Sequence, residues 1–138
     1  MPVDYVDATL ILHDGERWNV IFFVPPREDL VRLVTEGEAF VPVMRDAKIT
    51  IVARAAIACV GMPTRPASDL DELPSENQRA AIKLRSGVVL EGELRWPIVE
   101  GKQRTADFLN GPSNHVVLSA GDVHYIVIKA HVATVQEL

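Results

Sequence analysis

Apolar residues along this chain recur with the period of strands rather than helices. Leu10 and Leu12 alternate with Ile11 and His13, and Asp14-Gly15 then supplies a turn whose glycine tolerates positive φ. Residues 18–24 are a continuous β-former run, the pattern of a strand covered on much of both faces. Pro25-Pro26 stops it, because proline donates no ladder hydrogen bond. Residues 27–34 suit one or two helical turns, with Pro26 at the first helical position and Leu30, Leu33 and Val34 on one face. Residues 40–43 and 48–53 then read as a hairpin around Asp46, and 57–60 as a short closing strand.

The same order of features returns. Leu12 matches Leu84, Gly15 matches Gly87 and Pro25 matches Pro97, each at an offset of 72. After three inserted residues the offset is 75, and Val41, Ile51, Val52, Ala55, Ala58 and Val60 match Val116, Ile126, Val127, Ala130, Ala133 and Val135. Self-similarity of this kind reads as internal duplication. The second half predicts strands over 81–85, 88–96, 115–118, 123–128 and 132–135, with Ser119-Ala120-Gly121-Asp122 as a hairpin turn. Five short strands per unit imply a small antiparallel barrel. The expected fold is all-β with minor α: two tandem five-stranded SH3-like barrels, over 1–62 and 79–138, joined by a linker over 63–78. That linker holds Pro63, Pro66 and Pro74 and four acids, and Ser68 with Asp71 suits the cap of one helical turn.

Composition narrows function by exclusion. Of 138 residues 48% are apolar and 24% charged, the proportions of a globular protein. A net charge of −5 has the wrong sign for a general nucleic-acid binder. The acidity lies in the first unit and linker; the second unit is close to neutral. A lone cysteine, Cys59, makes no internal disulfide, and its setting in the last strand of the first unit reads as a buried, inert thiol. The N-terminal residues show no basic region followed by an apolar stretch, and no apolar run approaches a membrane span. The expectation is a cytoplasmic protein without membrane contact. Paired carboxylates, a Ser/His/Asp order, a glycine-rich phosphate loop and HExxH are all missing, so no enzyme, cofactor or metal is expected.

The second unit resembles an Sm-like domain, the bent-sheet barrel of Sm, LSm and bacterial Hfq-type proteins. Lys83-Leu84-Arg85-Ser86-Gly87 with Leu90-Glu91-Gly92-Glu93-Leu94 is similar to the first motif of that family. Asp107-Phe108-Leu109-Asn110 followed by Val116-Val117-Leu118 resembles its Asp…Asn…apolar third strand. The stretch 125–135, with Lys129-Ala130-His131, resembles the second motif and the lysine–histidine turn of Hfq-type proteins. The usual N-terminal helix is not evident, an excursion over 97–113 interrupts the second and third strands, and the first unit carries Arg54-Ala55-Ala56 at the turn. Bacterial families of tandem domains have this look.

The resemblance implies an interaction module that oligomerises, or binds a protein partner, through exposed strands. In Sm-like barrels the fourth and fifth strands are open edges that pair between subunits. Two units would then pair within the chain, or three chains would close a six-unit pseudo-ring. It also implies an alternative, RNA contact through Lys129 and His131; a surface lysine and a half-buried histidine capping a turn is the structural reading of the same residues. Arg104, Asp107 and Asn110 are spaced as a contact loop, or as residues ordering their own loop. Trp96 either fills the core or joins Pro97 in an exposed patch. With Ala120-Gly121 central in the turn, Val117 opposes His124 and His115 opposes Ile126, a diagonal placement of two rings that is a poor metal site. The RNA reading predicts salt-sensitive binding of single-stranded RNA that disappears in a Lys129→Ala/His131→Ala protein; filter binding at low salt decides it, and no binding by the unaltered protein ends it.

Overall fold

The computed structural model describes residues 3–63, 74–98 and 104–138. These residues form mostly antiparallel strands in one open sheet. From the first half come β1 (Asp4–Leu12), β2 (Arg17–Val24), β3 (Phe40–Arg45), β4 (Lys48–Ala53) and β5 (Ile57–Met62). The second half contributes β6 (Ser75–Leu84), β7 (Val89–Pro97), β8 (His115–Ala120), β9 (Val123–Ile128) and β10 (Val132–Glu137). Short helices α1 (Leu30–Thr35) and α2 (Thr105–Leu109) lie between β2 and β3 and between β7 and β8. Single 3₁₀ turns, Arg54–Ala56 and Lys129–His131, lead into β5 and β10. No helix among the described residues is long and apolar enough to cross a membrane.

The spatial order is β10-β6-β7-β8-β9-β5-β1-β2-β3-β4. Within each half the order therefore runs fifth, first, second, third, fourth strand. The ladders agree position by position. Val41 faces Val52 and Val116 faces Val127, the later register of the repeat on both strands. Ala8 faces Val20 and Ala80 faces Gly92, the earlier register on both strands. One residue bulges out of β5 between Ile57 and Cys59, and one bulges out of β10 between Val132 and Thr134. Bulges bend a strand and sharpen its twist, so both halves curl at the same point. The turns correspond as well: Gly15 and Gly87 take φ of 93° and 99°, and their amides bond to Leu12 and Leu84.

Several sequence expectations shift. The first helix starts at Leu30 rather than at Arg27, because Asp29, not Pro26, sets its start: the Asp29 carboxylate accepts from the Arg32 amide. β6 begins at Ser75, inside the stretch read as linker, since its backbone pairs with β7 from Ser75–Pro97 onward. The helical turn expected at Ser68 and Asp71 lies outside the described residues. The β8–β9 hairpin is displaced by two residues from its expected register. Val117 faces Ile126, His115 faces Ile128 and His124 faces Ser119, because Gly121 takes φ of 62° as the first residue of the loop.

Two apolar clusters fill the interior, one built on Leu10, Phe22, Val43 and Ile57, the other on Ile82, Leu94, Trp96 and Leu118. They are not segregated by sequence. Ile126 of β9 belongs to the first cluster, while Ile11, Ala58 and Cys59 belong to the second. The clusters thus interlock where β5 and β9 meet.

Gly92 occupies the position that Val20 holds in the first half, and a Cβ there would lie 2.5 Å from the Ser119 carbonyl oxygen. Backbone cannot yield as a flexible side chain can, so Gly92→Ala is expected to lower stability by about 1–3 kcal/mol. Chemical denaturation checks this, and an unchanged midpoint would contradict the close approach.

Candidate docking edges

The β5·β9 ladder is the structural centre of the molecule. Cys59, Val60, Gly61 and Met62 face Val127, Ile126, Tyr125 and His124. Residues Ile57 to Gly61 are buried without exception, so β5 is covered on both faces and paired on both edges. Packing is tight: a Cβ at Gly61 would come within 3.0 Å of the Tyr125 ring. Side chains tie the ends of this seam. Asn114 Nδ2 donates to the Thr35 carbonyl at 2.8 Å, and Arg54 Nη1 donates to the same oxygen at 2.9 Å. His131 Nε2 lies 2.9 Å from the Ala55 carbonyl, to which it donates.

Lys129 and His131 share one 3₁₀ turn but reach in different directions. Lys129 Nζ donates to the Gly111 carbonyl at 3.3 Å, just beyond α2. Arg54, its counterpart in the first half, makes the corresponding reach to the end of α1. Arg104, Asp107 and Asn110 gather on α2, where the Arg104 Nε to Asp107 Oδ2 distance is 3.3 Å and the Asn110 amide bonds to Ala106. Trp96 is 4% exposed and stacks on Phe108 with ring centroids 5.2 Å apart. It is core, and the exposed Trp96-Pro97 patch is not formed.

His115 and His124 do not approach a shared ligand: His124 Nδ1 lies 3.0 Å from Ser119 Oγ, and His115 Nδ1 is 3.2 Å from Ser113 Oγ and from Asn114 Oδ1. Among the described residues no three His, Cys, Asp or Glu side chains gather as a metal site. Burial pushes the His115 pKa below the usual imidazole range and the Lys129 charge adds to this, while Glu36 and Asp29 oppose it. Burial likewise lowers the pKa of Lys129. The Cys59 thiol is driven far above its ordinary range by burial, with Arg17 opposing, so no thiolate is available for chemistry. An open groove of about 510 Å³ lies beside the seam, lined by Asp7, Asn19, Met44, Asp46, Met62 and Val123 among others. Thr9 and the carboxylates Asp7 and Asp46 are its chemically active lining groups, and no histidine, cysteine or lysine is among them. No family model matches the chain, and searches of curated proteins and of solved structures return no match.

What the geometry does present is a pair of unpaired edges. Among the described residues, β4 and β10 end the sheet, each with one strand neighbour. Beside the β4 edge lie Phe40, Ile49 and Ile51, exposed by 65%, 56% and 59%. Phe40, Ile49 and Ile51 share a face, because Phe40 faces Ala53, Pro42 faces Ile51 and Met44 faces Ile49 across the ladder. Sequence inspection passed over these isoleucines as hairpin residues. The signal was present in the repeat, which sets Ile51 against Ile126, a residue 0% exposed.

A lowered histidine pKa makes charging the folded state costly. The unfolded chain takes up the proton first as pH falls, so stability is held above about pH 6.5 and lost in acid below it. Between pH 7 and pH 5 the unaltered protein is expected to lose more stability than a His115→Gln variant, read as denaturation midpoints; parallel curves would contradict the assignment.

Proposed function

We propose that this chain is a non-enzymatic assembly module: two Sm-like barrel units, arisen by internal duplication, that bind a further protein chain through exposed strand edges. Support for the duplication comes from ladders that agree in both registers of the repeat, with a bulge at corresponding places. Support for assembly comes from the β4 edge. Exposed strand edges are templates for pairing, and proteins that avoid pairing blunt them with lysine, proline, bulges or covering segments. β4 reads Lys48-Ile49-Thr50-Ile51-Val52-Ala53, with its one charge at the outset and no proline. The single observation that carries the reading is the exposure of Phe40, Ile49 and Ile51 together, an apolar patch on an unpaired strand.

The test uses a tagged protein sized in crude cell extract, where any partner is present. Ile49 and Ile51 are exposed, so Ile49→Lys/Ile51→Lys is expected to change stability by only about 0.5 kcal/mol. The unaltered chain is expected to elute well above its 15.2 kDa mass and the double variant at the single-chain position. Identical elution of the two would contradict the proposal.

A further inference from the structure

We infer that the groove beside the seam binds a small organic cation, a protonated amine carried on an apolar body. The inference concerns one face of the sheet and does not rest on edge docking. Leu10, Val20, Val43 and Val60 belong to the first apolar cluster, so their strand neighbours point to the opposite face. On that face Ile21 is set against Asp7 and Met44, and Thr9 against Asn19 and Gly61. Further along β1 the same face is closed, because Ile11 is buried in the second cluster. At Thr9 and Asp7 it opens, and Val123 at the start of β9 lines the opening from the second half. The volume, about 510 Å³, is within the range of small-molecule sites.

The lining chemistry selects the ligand. Among the described residues the side chains of Asp7, Thr9 and Asn19 make no hydrogen bond or ion pair, so a carboxylate, a hydroxyl and an amide are free to meet a guest. Asp46, in the β3–β4 turn, adds a second carboxylate. Arg45 Nε lies 4.0 Å from it, but that guanidinium stacks 3.9 Å over the Trp18 ring and does not line the groove. No lysine, arginine or histidine is among the lining residues, and Ile21, Met44 and Val123 supply an apolar wall. Two carboxylates without a third His, Cys, Asp or Glu make no metal cage. An ammonium group, by contrast, carries three donors that carboxylate, hydroxyl and amide oxygens accept, while its apolar body covers the wall.

The repeat separates this chemistry from the demands of the scaffold. The positions matched to Asp7, Asn19, Ile21, Met44 and Asp46 are Arg79, Glu91, Glu93, Ser119 and Gly121. The second half thus carries both signs of charge and no apolar wall where the first half carries carboxylates alone beside apolar residues. A requirement of the shared strand arrangement would act on both halves, so the acidic, apolar groove is a local property of the first.

Amide chemical-shift titration of the full-length protein tests this with probes that share one apolar body: 3-phenylpropylamine, 3-phenylpropanol and 3-phenylpropanoate. The amine is expected to bind saturably, with shifts centred on Thr9, Asn19, Gly61 and Val123. The alcohol is expected to bind about threefold more weakly or worse, and the carboxylate not to bind. Asp7→Asn/Asp46→Asn removes both charges at exposed positions, and asparagine takes the φ of 51° at residue 46 as readily as aspartate does. This variant is expected to bind the amine about fivefold more weakly and the alcohol as before. Shifts centred elsewhere, equal affinity for amine and carboxylate, unaltered amine affinity in the variant, or no saturable binding of the amine overturns the inference. An octapeptide with one central lysine separates the sources of the cation. Affinity no greater than that of the free amine supports a small ligand, whereas binding about tenfold tighter at the same residues overturns it in favour of a side chain of a partner.

Discussion

Everything in this molecule depends on β5 being covered on both faces and paired on both edges. An isolated five-stranded sheet of this length leaves a fourth and a fifth strand with unpaired amides and carbonyls, and little apolar area per residue to offset the entropy of ordering. Joining β5 to β9 satisfies one edge of each half and lets Ile126 enter one apolar cluster while Ile11, Ala58 and Cys59 enter the other. The consequence is mutual dependence. Neither cluster is complete without residues from the other half, so the two halves share one interior across an apolar seam. The polar ties at its ends, Asn114 to Thr35 and His131 to Ala55, lock the direction of approach.

The seam solves the edge problem for two strands and leaves it open for two others. β4 keeps the β-branched residues and the exposed isoleucines that suit a buried interface, and β10 keeps small and polar residues at the matching positions. Where Gly61, Cys59 and Ile11 make the seam close and apolar, the corresponding positions of the second half are Gln136, Thr134 and Lys83, all exposed. The residues carrying the resemblance to RNA-contacting turns are engaged in this same scaffold, Lys129 on the Gly111 carbonyl and His131 on that of Ala55.

Much of the fold was legible because strand signals are local. Asp14-Gly15 and Ser86-Gly87 marked turns, the run 18–24 marked a covered strand, and both registers of the repeat appear unchanged in the ladders. Errors came where tertiary partners decide. The Gly121 backbone, not the tetrapeptide pattern, set the β8–β9 register, and pairing with β7 drew Ser75 out of an apparent linker. Of the two readings open for Trp96, core or exposed patch, the stacking of Phe108 of α2 on its ring selects the core. The exposed β4 edge was the least legible part. Ile49 and Ile51 carry the same alternation as interior strand residues, and only the sheet order reveals that no further strand of the described residues pairs beyond them.

Amide hydrogen exchange in dilute purified protein tests the central claim most directly, because it reads the edges and the seam in one experiment. The account predicts that β5 and β9 amides are strongly protected, whereas outward amides along β4 and β10 exchange freely. Protection of β5 and β9 no greater than that of β4 and β10 would contradict it.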